Sequence, residues 1–170
     1  MTIKLLGVLL IVVGCGGFGF SIAANYRREE KTLRILLTAL DHMECELQYR
    51  MPPLPDLCRR TANQCTGGLR NVFIALAVEL EQQLAPDATR CMTAALDRVP
   101  ELTKRARSAM KALGRTLGRF DVAGQIRGIE SVRLACQRDL EELAHNRENR
   151  LRSYQTLGLC AGAALAILFV

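Results

Sequence analysis

The sequence predicts an all-α chain of about six helices, two of them long and continuing into transmembrane segments at the termini. Three observations carry this. Apolar residues recur at three- and four-residue steps: Leu33, Leu36, Leu40, Met43 and Leu47 in one segment, Ile126, Ile129, Cys136, Leu140 and Leu143 in another. Strand-like alternation is absent. Charge is concentrated in the middle, because neither Leu5–Ala24 nor Tyr154–Val170 carries a charged side chain.

The first uncharged run is about 20 residues long, enough to cross a hydrocarbon core about 30 Å thick. Nothing breaks the helical pattern between Ala24 and Arg50, so the first membrane helix is expected to run on into the cytoplasm. "MPPLPD" (Met51–Asp56) then ends it and opens a short second helix, with Pro53 as the stop. "TGG" (Thr66–Gly68) separates that from "LRNVFIALAVELEQQL". "APD" (Ala85–Asp87) starts a helix through Val99, and Pro100, at a first-turn position, starts another through about Leu117. Gly118 fits the end of that helix and Asp121 the N-cap of the last one, which should run through the membrane. The second uncharged run is about 17 residues, at the short end of the spanning range.

The expected organisation is therefore a transmembrane helix over 1–24, a helical domain over 25–153 and a second transmembrane helix over 154–170. The two outer helices must be antiparallel, with four short helices packed against them as a cytoplasmic bundle. Arg27, Arg28, Lys31 and Arg34 flank the first run, and Arg147, Arg150 and Arg152 precede the last. Basic flanks stay cytoplasmic, which puts the middle inside and both termini outside. The rival is an exported, lipid-anchored protein that begins at Cys15, because "VVGC" (Val12–Cys15) has lipobox form; against it, the apolar run continues past Cys15 into a basic cluster that resists export. In the membrane, Gly158, Gly162 and Ala166 form a small-residue stripe suited to helix packing, as do Cys15, Gly19 and Ala23.

Little here points to catalysis. The 7 cysteines form no Cys-x-x-Cys and are odd in number, so reduced thiols filling apolar sites are expected, not a disulfide framework. Glu142-x-x-His145 is half of a di-iron motif, but its second half is missing, and no metal or cofactor is expected. Phosphate loops and dinucleotide fingerprints are absent. The chain carries a net charge of +6. Lys104, Arg107, Lys111, Arg115 and Arg119 recur every three or four residues as one basic stripe, a solvated face or a docking surface for an acidic partner. No aromatic residues interleave with it, so nucleic acid is not an expected partner.

Two stretches are more specific than composition. "ECELQYRMPPL" carries Glu44, Glu46, Tyr49 and Pro53; "LGRFDVAGQIRGI" carries Gly118, Asp121 and Gln125. With "KLLG" near the start and "YQTLGLCAG" entering the last run, the whole chain resembles the stage III sporulation protein AB family. The resemblance implies a non-enzymatic membrane protein of the mother cell in endospore-forming bacteria. It also implies a place in the secretion-like complex that joins mother cell and forespore. The cytoplasmic region is then similar to the helical domain of type II secretion and type IV pilus platform proteins. Its implied partners are a cytoplasmic secretion-type ATPase, other membrane proteins of that complex and the bilayer. Glu44, Glu46 and Tyr49 are expected near the top of the stalk, able to bond to the returning chain, with Gln125 as one answer. They are as much structural candidates as partner-binding ones.

Overall fold

The computed structural model describes the side chains of residues 24–82, 87–118 and 121–145, and traces the outer helices beyond them. Among the described residues there are six helices: α1 (Thr2–Tyr49), α2 (Leu54–Gln64), α3 (Gly67–Gln82), α4 (Ala88–Asp97), α5 (Lys104–Thr116) and α6 (Val122–Phe169). No strand occurs among the described residues. Among those residues, too, no helix is long and apolar enough to cross a membrane. The two expected spans, 1–24 and 154–170, lie outside the described side chains except for Ala24, as do both small-residue stripes and Cys15.

The expected stripes are the core. Leu33, Leu36, Leu40, Met43 and Leu47 of α1 are buried, and so are Ile129, Cys136 and Leu143 of α6, while Ile126 and Leu140 are only partly buried against them and Val132, not in the expected stripe, joins the core. Each leucine buried this way contributes about 1.5–3 kcal/mol over leaving it in water. Consecutive helices pack on one another from α2 to α6, and α6 returns onto α1. Phe73 of α3, Met92 of α4 and Met110 of α5 fill the space between. Two glycines set how closely the helices meet. A Cβ on Gly114 of α5 would stand 2.6 Å from Met92 Cβ, and one on Gly128 of α6 would stand 2.5 Å from Thr116 Cβ. Carbon atoms pack at about 3.5–4 Å, so only glycine fits at either crossing.

The helix ends follow from local chemistry. Asp87 caps α4 by accepting the Arg90 N–H at 2.8 Å, and Asp121 caps α6 by accepting the Gly124 N–H at 3.0 Å. Gly118, at φ +72°, turns the chain out of α5. Two expectations need correcting. Pro53 does not end α1: the helix stops at Tyr49, where Met51 takes a left-handed φ of 47°, and Pro53 instead caps α2. Nor does Pro100 start a helix, for α4 ends at Asp97 and α5 begins at Lys104. Between them, Val99 and Leu102 are drawn into the core, and Arg107 donates to the Val99 carbonyl at 2.7 Å. Burial of those two side chains outweighs the helix-starting preference of proline.

Candidate functional site

The two motif stretches meet at the end of the bundle where α1 stops and α6 starts. The Arg50 and Met51 N–H groups both donate to the Glu46 carbonyl, at 2.9 and 3.1 Å, which closes α1. The Pro53 carbonyl accepts from Leu57 at 3.0 Å, and the Asp121 carbonyl from Gln125 at 2.9 Å. Leu47, Met51, Pro52 and Leu54 face Gly118, Val122 and Gln125 across a shallow pocket of about 130 Å³. Tyr49 and Met51 stand outward, 77% and 64% exposed. Large side chains this exposed, one on a left-handed residue, give this end a small apolar prominence.

The acidic residues beside it do bond to other elements. Glu44 lies 3.6 Å and Asp41 3.4 Å from Arg133 of α6. Glu46 turns instead to α2, 3.5 Å from Arg60, and to Arg50 at 3.7 Å. Arg133 is thus the returning chain's answer to Glu44. Asp41, Glu44, Cys45, Gln48, Tyr49 and Arg133 line a shallow depression of about 360 Å³.

The basic stripe divides. Lys104, Lys111 and Arg115 are exposed on α5. Arg107 is turned inward, onto Val99 and to 3.8 Å from Asp97, and Arg119 lies outside the described residues. Arg105, not part of the expected stripe, is tied to three carboxylates, as Arg133 is. Arg105 sits 3.0 Å from both Asp139 and Glu142 of α6 and 3.8 Å from Glu29 of α1. The hydrogen bond to Glu142, then the charges of Asp139 and Glu29, hold its pKa above the usual arginine value despite some desolvation. Glu142, half of the incomplete di-iron pattern, is thereby part of a clasp joining α1, α5 and α6.

Sequence reading missed Arg105 and Arg133, though a signal existed. Arg133 falls within the apolar stripe between Ile129 and Cys136, and Arg105 borders Ala106 and Ala109. A cation at the edge of a buried stripe needs a carboxylate from a neighbouring helix.

Three of the buried thiols are not poised for chemistry. Cys58, Cys65, Cys91 and Cys136 are buried, while Cys45 is exposed. Burial pushes Cys58 up to about 12 and Cys65 to about 11; Cys136 also reaches about 11, with Asp139 adding to the effect. No cluster fit to hold a metal ion occurs among the described residues.

The family model described as "Stage III sporulation protein AB" matches residues 4–170. The chain belongs to the stage III sporulation protein AB family. The similar curated protein is Stage III sporulation protein AB of Bacillus subtilis (strain 168), 28% identical over 174 residues, covering 99% of each chain. A solved structure titled Stage III sporulation protein AB shares the fold at TM-score 0.63 and 22% identity, covering 72% of this chain and 98% of that one. Membership in this family makes the chain a sporulation protein, and the family's description names a stage of sporulation, not a reaction.

Proposed function

We propose that this sporulation protein is a non-catalytic platform held in the mother-cell membrane by two spans. Its helical domain, on the cytoplasmic side, would couple a secretion-type ATPase to membrane partners. The observation that carries the reading is the antiparallel pairing of α1 and α6. Arg133 is level with Asp41 and Glu44, so the start of α1 and the end of α6 leave the bundle on one side. Ala24 lies 17 residues before Asp41 and Tyr154 lies 21 residues after Arg133, so the two uncharged runs meet the bundle within about 6 Å of one level. Two helices that enter a bilayer together need that match. Basic residues cluster at the same level, as the positive-inside rule requires of a cytoplasmic flank.

The clasp supports a platform over a hinge. Arg105 and Arg133 tie α1 to α6 at separate heights, so the two emerging helices act as one stalk. Docking is assigned to the exposed part of the basic face, Lys104, Lys111 and Arg115, with an acidic partner surface opposite.

Thiol labelling in intact cells tests the topology. Cys58 and Cys91 are too buried to serve, so Cys45 is the reporter. It should react with membrane-permeant maleimides and not with impermeant ones. Labelling by impermeant reagent would place the domain outside and favour the lipid-anchored reading from Cys15. Co-purification of the full chain with the organism's sporulation ATPase tests coupling; no association in either detergent or membranes would refute it.

A further inference from the structure

A second pocket, of about 370 Å³, opens at the opposite end of the bundle from the Tyr49 prominence. Arg28, Lys31 and Thr32 of α1 form one wall, and Thr66–Leu69 at the start of α3 another. The turn Glu101–Thr103 closes it. Arg28 donates to the Glu101 backbone carbonyl at 2.9 Å, and this bond holds the turn against α1.

Arg34, Arg59, Arg60, Arg98, Arg105, Arg107 and Arg133 each have a carboxylate within salt-bridge distance. Among the described residues, Arg28 and Lys31 have none, although Glu101 lines the same pocket. In this they are like other exposed cations such as Arg70, Lys111 and Arg127; what sets them apart is that they share one pocket. Two more features leave a donor and room for a ligand there. The hydroxyl Oγ1 of Thr103 is buried without a hydrogen-bond partner, and it makes no cap bond to the first turn of α5. At Gly67, with φ +61°, an added Cβ would meet nothing within 4 Å, so the start of α3 is open to a ligand.

The position of the pocket indicates the source of the anion. Arg28 and Lys31 lie about 6 and 10 Å along the helix axis beyond Ala24, where the uncharged run ends. Side chains on a helix lean toward its N-terminus, here toward that run. Their heads therefore reach back to the level of lipid headgroups.

We infer that this pocket binds the phosphodiester of an anionic phospholipid, with Arg28 and Lys31 as its cationic ligands and the unpartnered hydroxyl of Thr103 as a further donor. This rests on the two-span reading above. A headgroup held there would join α1 to α3 and to the turn before α5, fixing the bundle on the membrane surface. Glu101 sets a limit on charge: its carboxylate disfavours a second anion and so favours a single diester over a more highly charged group.

Native mass spectrometry of the full chain, solubilised in mild detergent, tests this with phosphatidylglycerol, phosphatidylcholine and inorganic phosphate as separate probes. The wild type should retain phosphatidylglycerol over phosphatidylcholine. The double variant Arg28→Gln/Lys31→Gln should lose that retention about tenfold or more, the loss expected when two charge-assisted contacts go. Lys111→Gln/Arg115→Gln, which removes an equally exposed basic pair on α5, should retain it like the wild type. Equal retention by the Arg28/Lys31 variant overturns the proposal, and so does equal loss in the α5 variant. Binding of inorganic phosphate without preference for phosphatidylglycerol overturns the lipid assignment. Circular dichroism confirms that each variant is folded, and should the double variant unfold, Lys31→Gln alone must show a reduced preference. Alkaline carbonate extraction scores membrane integration separately, so failure of the two-span reading is distinguishable from failure of the site.

Discussion

Gly128→Ala is the sharpest test of how the bundle is assembled. The new methyl carbon would stand 2.5 Å from Thr116 Cβ, 2.6 Å from its Cγ2 and 2.9 Å from its Oγ1. Rotation about χ1 moves Cγ2 and Oγ1 but leaves Cβ in place, so α6 must move off α5 by about 1 Å to restore ordinary contact. Overpacking of this kind costs about 1–3 kcal/mol. Alanine recovers about 1 kcal/mol of helix propensity, leaving a net loss of up to about 2 kcal/mol. For a chain of this size that lowers Tm by up to about 8 °C. The buried thiols supply the assay, since Cys58, Cys65, Cys91 and Cys136 become open to alkylation when the bundle opens. The temperature at which they react should fall in Gly128→Ala. Adding Thr116→Gly should restore much of it, whereas Thr116→Ala, which keeps the Cβ, should not. A rise in that temperature for the single variant, or no coupling with Thr116→Gly, would refute the close crossing.

Other outcomes follow from the same structure. Arg105→Gln leaves Asp139, Glu142 and Glu29 facing one another; it should lower stability by about 1–3 kcal/mol, and Glu142→Gln in the same chain should recover part of the loss in thermal unfolding. Met51→Gly relieves a left-handed φ of 47° at an exposed site and should be neutral or stabilising by up to about 1 kcal/mol in a denaturant titration. Cys58, Cys65 and Cys136 have folded pKa values near 12, 11 and 11 against 9.0, so above pH 9 the unfolded chain loses protons that the folded chain keeps. Stability present below pH 9 should thus fall as pH rises toward 11, and Cys58→Ala should flatten the decline of the denaturant midpoint. Lys111→Glu/Arg115→Glu should weaken association with an acidic partner and its salt dependence while moving stability by less than about 0.5 kcal/mol; unchanged binding would leave this face merely solvated.

The helices and their buried faces could be read ahead because they rest on periodicity, which is local. The same holds for the cap at Asp121 and for the turn at Gly118, each set by one or two residues. What escaped depends on distant partners. Pro100 looks like a helix start until Val99 and Leu102 are seen to be claimed by the core. Arg107 belongs to the basic stripe by spacing, yet the Val99 carbonyl turns it inward. Glu44 was a fair candidate for bonding to the returning chain, but its partner is Arg133, more than twenty turns of sequence away in helical terms. The pocket at Arg28 draws on α1, α3 and the turn before α5, and no spacing rule links those segments.

The pairing of α1 with α6 also dictates an order of events during synthesis. Contacts among α2, α3, α4 and α5 join neighbours in sequence and can form while the rest of the chain is still being made. The stripe Leu33–Leu47 has no such early partner of its own length, because α6 leaves the ribosome only after α2 to α5. Until then α1 carries an uncovered apolar face. Chaperones, or early docking of α2 and α5 on that face, would have to shield it, and a nascent chain that stalls before Ile129 should be the species most prone to aggregate.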